Sequence, residues 1–181
     1  MTRAETTLIV LLRGINVGGN RKLLMTDLRA IAASIGLDAV RTHIQSGNLV
    51  ATSAAAPSTV ATRLRAAILE TTDLDVPIVV RTAQQWRALI GANPFADAPD
   101  IGRTVHVTFL DAPAPDDLVA FDASEFAPEE LVVHEGECYL HLPNGMGRSK
   151  LAVKLQRLPG ASTGTARNWN TVLKIAELAR V

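Results

Sequence analysis

The sequence predicts an α+β fold of two structurally duplicated halves, and three observations point there. Residues 1–82 parse into the order β-α-β-β-α-β, with a turn residue or a helix stop at each junction. From residue 83 onward a β-α-β-β-α order recurs, with little sequence similarity to the first half and without an evident fourth strand. The 181 residues are 48% hydrophobic and 20% charged, a balance that can offset the entropy of ordering and bury a real core. A split β-α-β unit of this order is the ferredoxin-like arrangement. The expectation is therefore two ferredoxin-like halves, 1–82 and 83–181, packed as one compact unit and closed by a C-terminal helix.

The elements follow in order. Thr7–Arg13 is a continuous apolar run of strand length, which suits a strand covered on both faces. Gly14–Leu24 is a glycine-containing loop. Thr26 is positioned to cap a helix to about Ile35, with Leu28, Ile31 and Ile35 on one stripe and Gly36 as the stop. Val40–Gln45 alternates as a strand, Ser46-Gly47 turns the chain, and Asn48–Ser53 returns it. Pro57 suits the entry to a helix from Ser58 to about Thr71, with Val60, Leu64 and Ala67/Ile68 inward. Val76–Thr82 is the fourth strand. A short helix over 83–90 and an Asn93-Pro94-Phe95 turn lead to the second half. There Thr104–Leu110 reads as a strand and Asp116–Phe121 as a helical turn. A hairpin over 130–135 and 138–142 turns at Gly136-Glu137. Ser149–Leu158 is a helix ended by Pro159-Gly160, and a last helix runs from about Asn168 to Arg180.

Composition removes several function classes. Cys138 is alone, so no disulfide framework exists. The longest early apolar run, Leu8–Leu12, is too short for a signal core or a membrane span, which makes the cytoplasm the expected address. The first half contains no Phe, Tyr or Trp before Trp86, so it cannot stack bases as an RNA-recognition sheet does. The net charge of zero is unevenly laid out. Residues 93–137 carry 11 acidic groups against 1 basic, and residues 138–181 carry 7 basic against 1 acidic. Such segments either pair with each other or make a dipolar surface.

Three glycine-rich polar motifs lie where strands or helices end. The first, from Arg13 to Lys22, follows a strand and precedes a helix, the context of a loop that cradles phosphate with backbone N–H groups. It is no Walker A loop, because Asn20-Arg21 stands where Lys-Ser/Thr is required. The alternative is a tight connection that needs positive φ. The second, Gln45-Ser46-Gly47-Asn48, is a hairpin tip, either adjacent to the end of the first strand or remote from it. The third is Asn144–Leu151 with Thr163–Thr171 downstream. It places Arg148, Lys150 and Arg167 near helix N-termini, against the dipole unless an anion or the acidic stretch answers them. Cys138 is expected to be a core hydrophobe. His106, His134 and His141 are expected on one sheet surface, but in no metal-ligand spacing. No Ser sits in a nucleophile-elbow context.

The strings LLRGINVGGNRKL, IQSGNLV, NPF, GMGRSKL and TARNWNTVLKIAEL resemble those of the bacterial family called domain of unknown function 1697, from about Leu8 to Leu178. The resemblance implies the duplicated ferredoxin-like α+β fold and a bacterial cytoplasmic protein, and it implies no activity. The residues themselves lead to a binding protein, or cofactor-free enzyme, for an anionic ligand such as a nucleotide or other phosphate-bearing molecule. Arg13, Asn16, Arg21 and Lys22 would supply one part of a site between the halves; Arg148, Ser149, Lys150, Arg167 and Asn168 would supply the other. The alternative is a non-catalytic nucleic-acid-associated or protein-interaction module, with backbone contacts through Arg and Lys and no base stacking. No metal, cofactor or membrane partner is expected.

Overall fold

The computed structural model describes residues 4–19, 21–158 and 160–181. The chain divides into two compact units, Met1–Ala88 together with Lys174–Val181, and Leu89–Leu173. Each holds one four-stranded antiparallel sheet. The architecture is thus mixed α+β with two four-stranded sheets, consistent with a duplicated two-half plan.

In the first unit, strand β1 (Thr6–Leu12) is followed by helix α1 (Met25–Ser34), β2 (Asp38–His43), β3 (Asn48–Ser53), α2 (Pro57–Thr72) and β4 (Ile78–Thr82). The strand order is β2-β3-β1-β4. β1 is central because its run is apolar on both faces: Leu8 through Leu12 are fully buried. Leu8, Val10 and Leu12 join Leu49 and Ala51 of β3, Leu28 and Ile31 of α1, and Val60, Leu64 and Ile68 of α2 in one core. The two helices therefore cover the same face of the sheet. Each fully buried Leu or Ile in that layer contributes about 1.5–3 kcal/mol.

Local chemistry moves several boundaries. Helix α1 starts one residue before Thr26, at a Leu24 cap without a side-chain bond; the Thr26 hydroxyl donates to Asp27 instead. Its end is as expected. Gly36 (φ 82°) lets its own N–H reach Ala33 O and the Leu37 N–H reach Ala32 O, a Schellman stop. Pro57 opens α2 at its first turn. The hairpin between β2 and β3 has a four-residue loop, 44–47, rather than a two-residue turn. His43 pairs with Asn48, and Asn48 Nδ2 donates to His43 O and Ser46 Oγ. Ile44 takes φ 48° there and is exposed instead of extending the inward stripe of β2.

The second unit begins within helix α3 (Ala83–Gly91) and continues through α4 (Ile101–Thr104), β5 (Val105–Phe109), α5 (Asp116–Val119), β6 (Glu130–His134), β7 (Glu137–His141), α6 (Lys150–Leu155) and β8 (Thr165–Asn168). Helix α7 (Trp169–Ala179) closes the chain. The sheet order is β6-β7-β5-β8. β8 is the fourth strand missing from the sequence reading. Its four residues pair with β5 through His106↔Asn168, Val107↔Arg167, Thr108↔Ala166 and Phe109↔Thr165. The β6–β7 turn is Glu135-Gly136, not Gly136-Glu137, so Val133 faces Cys138 and Leu131 faces Leu140. That slip leaves the expected apolar set together, because both strands shift by one. Leu131, Val133, Cys138, Leu140 and Leu142 share a core with Leu118, Leu151 and Leu155. Helix α6 is shorter than expected, and the Pro159 stop lies outside the described residues, as does Asn20 of the first loop.

Candidate functional site

The first motif and the hairpin tip are neighbours. The Leu12 N–H donates to Gly47 O at 2.8 Å, and the Arg13 N–H donates to Pro77 O at 3.0 Å. Asn16 (φ 56°) clamps the loop. Its Nδ2 donates to Leu23 O at 2.9 Å and Gln45 O at 2.7 Å, and its Oδ1 accepts from the Leu23 N–H at 3.0 Å. The Asn16 backbone N–H donates to Arg21 O at 3.1 Å. The amide of Asn16 thus orients the loop, not a ligand.

Among the described residues of this loop five have positive φ: Gly14, Asn16, Gly18, Gly19 and Arg21. Left-handed residues are a component of backbone anion nests, although here the Asn16 N–H is taken by Arg21 O and the Leu23 N–H by Asn16 Oδ1. Around Gly14, Gly18 and Gly19 an added Cβ would meet open space. The cations of the loop differ in their commitments. The Arg21 guanidinium donates to Asp75 O. The Asp75 carboxylate is itself forked by Arg65, with Nε at 2.6 Å and Nη2 at 2.8 Å, which holds its pKa below the usual carboxylate range. Arg13 is half-buried and Lys22 exposed, and neither has an ion-pair partner among the described residues. Val17, Leu24 and Ile44 are exposed beside the clamp, at 68%, 62% and 51%.

In the second unit, the start of α6 is already answered. Buried Glu129 accepts from Ser149 Oγ and from the Leu151 N–H, both at 2.9 Å, and Ser149 Oγ accepts from the Ala152 N–H at 2.8 Å. A carboxylate of the acidic stretch therefore fills the place in which Ser149 was expected to meet a ligand. Glu129 was not legible in the sequence, because nothing local marks a carboxylate twenty residues before a helix as its cap. Arg148 and Lys150 stay exposed, with no ion-pair partner among the described residues.

Arg167 lies on β8 instead of a helix N-terminus. It is buried, its Nη1 donates to Thr165 Oγ1 at 2.7 Å and Ala166 O at 2.8 Å, and burial pulls its pKa down to about 10. Asn168 caps α7, accepting the Thr171 N–H at 2.9 Å. The His reading changes as well. His106 pairs directly with Leu140, whereas His134 pairs with Glu137 and His141 with Glu130, so His106 faces the other side of the sheet. No metal-holding group of His, Cys, Asp and Glu occurs among the described residues. Cys138 is buried, and desolvation, with a smaller contribution from Glu137, pushes its thiol up to about 12, far from a nucleophile.

A family model described as "Protein of unknown function (DUF1697)" matches residues 6–139. Among solved structures, the conserved bacterial protein SP0830 from Streptococcus pneumoniae is similar at 24% identity. That match covers 97% of this chain and 99% of the other, with a TM-score of 0.80. It shows a shared fold. No curated protein matches the sequence. Among the described residues, no helix is long and apolar enough to cross a membrane.

Proposed function

Because this chain belongs to the family described as protein of unknown function (DUF1697), its activity has to be read from its own residues, and we propose that it binds an anionic, phosphate-bearing ligand at the loop between β1 and α1. One observation carries this reading: a loop whose described residues include five at positive φ, fixed by the Asn16 amide, carries Arg13 and Lys22. Loop N–H groups would take the ligand oxygens, and the two cations would supply charge that no carboxylate of the described residues answers. Asn16 and Arg21 hold the loop, and Ser149, Arg167 and Asn168 spend their polar groups on the fold of the second unit. Arg148 and Lys150 are the second exposed basic group. A ferredoxin-like reading of each sheet and a bacterial, cytoplasmic setting fit the same proposal. It requires no cofactor.

Thermal denaturation against inorganic phosphate and a nucleoside mono-, di- and triphosphate series tests it. A ligand at about 100 times its Kd raises stability by about 2.7 kcal/mol. Lys22→Ala and Arg13→Ala should abolish that shift, with the unliganded protein left intact. A flat response across the whole series overturns the proposal. The exposed Val17, Leu24 and Ile44 around the same loop favour a second reading, a protein-interaction module without catalysis. A flat phosphate series together with a loop that binds protein would support it.

A further inference from the structure

Each sheet has two edge strands, and they differ in how they are protected. β8 has only four residues, and two of these, Thr165 and Arg167, are buried. β4 is half-buried along most of its length. β2 carries a register shift between Asp38 and Arg41, with Ala39 at φ 49°, a distortion that blunts an edge. β6 has no such device. Its register with β7 is unbroken over five residues, it contains no Pro or Lys, and Val132 at its centre is 39% exposed. Among the described residues its one strand neighbour is β7.

The hairpin geometry says which backbone groups face outward. A two-residue turn makes His134↔Glu137 a hydrogen-bonded pair, and alternation then makes Val132↔Tyr139 another. Leu131 and Val133 therefore point their N–H and C=O groups away from β7. The surroundings are acidic. Exposed Glu130, whose Oε1 lies 3.0 Å from His141 Nδ1, and exposed Glu135 bracket the strand, and α5, with exposed Asp116 and Asp117, packs beside it. Residues 93–137 hold a single basic residue, Arg103.

We propose that the outer edge of β6 is a docking strand for an extended, basic segment of another protein. The incoming segment pairs antiparallel with the Leu131 and Val133 backbone and sets Lys or Arg side chains against Glu130 and Glu135. Main-chain bonds give affinity in such additions, and charge chooses the partner. A second copy of this chain is the poorer occupant, because β6 against β6 would crowd the same carboxylates together.

Titration of the full chain with a peptide of alternating lysine and valine, its glutamate–valine counterpart, and the lysine peptide N-methylated at alternate amides tests this. The lysine peptide should bind and slow amide exchange at Leu131 and Val133 by about tenfold. The other two peptides should not. The Glu130→Lys/Glu135→Lys double variant, folded by circular dichroism, should lose about tenfold in affinity for the lysine peptide. Equal binding of the N-methylated peptide, or exchange protection elsewhere with Leu131 and Val133 unchanged, overturns the proposal. So does concentration-dependent self-association that protects those two amides without peptide.

Discussion

Gly47 sits where two demands meet. Its φ is +80°, and a Cβ there would lie 2.6 Å from Leu12 Cβ and 2.8 Å from Ile15 Cδ1. The hairpin tip can approach the end of β1, and its Gly47 carbonyl can accept the Leu12 N–H, because that position is empty. Gly47→Ala should cost about 2–4 kcal/mol in urea denaturation, from overpacking plus backbone strain. His106 carries a different cost. Burial lowers its pKa below 6.5, a backbone hydrogen bond with Thr104 opposes this, and Nδ1 meets no partner among the described residues. The unfolded chain then takes the proton first as pH falls. The stability of the neutral form is complete above about pH 6.5 and declines as pH drops toward the folded-state value. Urea midpoints followed from about pH 7.5 to about pH 5 should fall, and His106→Leu should flatten that slope. His43, lowered by burial and then by Lys174, adds to the same direction.

The elements sort into those written in local pattern and those written in distant pairing. β1, β3, α2 and the Gly36 stop were legible, since a continuous apolar run, a 3.6-residue stripe and a positive-φ glycine act over a few residues. β8 was not. Thr165-Ala166-Arg167-Asn168 has no alternation of apolar residues, and it becomes a strand through its bonds to β5. The same blindness placed Arg167 at a helix start and left Glu129 unnoticed. The candidate loop itself was legible as glycines after a strand, but the Asn16 clamp across 29 residues to Gln45 was not. On α7, Trp169, Val172 and Ala176 are buried as the helical phase requires, while Leu173 is exposed and Ile175 takes the inward place. Trp169→Ala should lower stability by about 3–5 kcal/mol, read from the denaturation midpoint. For α6, Glu129→Ala should cost about 2–3 kcal/mol, because the Leu151 N–H and Ser149 hydroxyl lose a charged acceptor inside the fold. Glu129→Gln, which keeps one acceptor oxygen, should cost less.

At the scale of the whole molecule, the first unit is discontinuous: Lys174–Val181 belongs with Met1–Ala88. Charge reports the closeness of these parts, since Lys174 depresses the pKa of His43 on β2 while Glu177, paired with Lys174, works against it. Lys174→Gln should therefore raise the His43 pKa in a proton NMR titration. An unchanged value would show that burial alone sets it. The discontinuity also has a bearing on synthesis. A ribosome emits β1 through β4 early, yet the piece that completes their unit is translated only after every residue from Leu89 to Leu173. The nascent first sheet must wait, incompletely covered, while the second unit is made and free to fold. The second unit can then be complete in the emerging chain before the first one is, which leaves a holdase more to guard at the beginning of this polypeptide than in its middle.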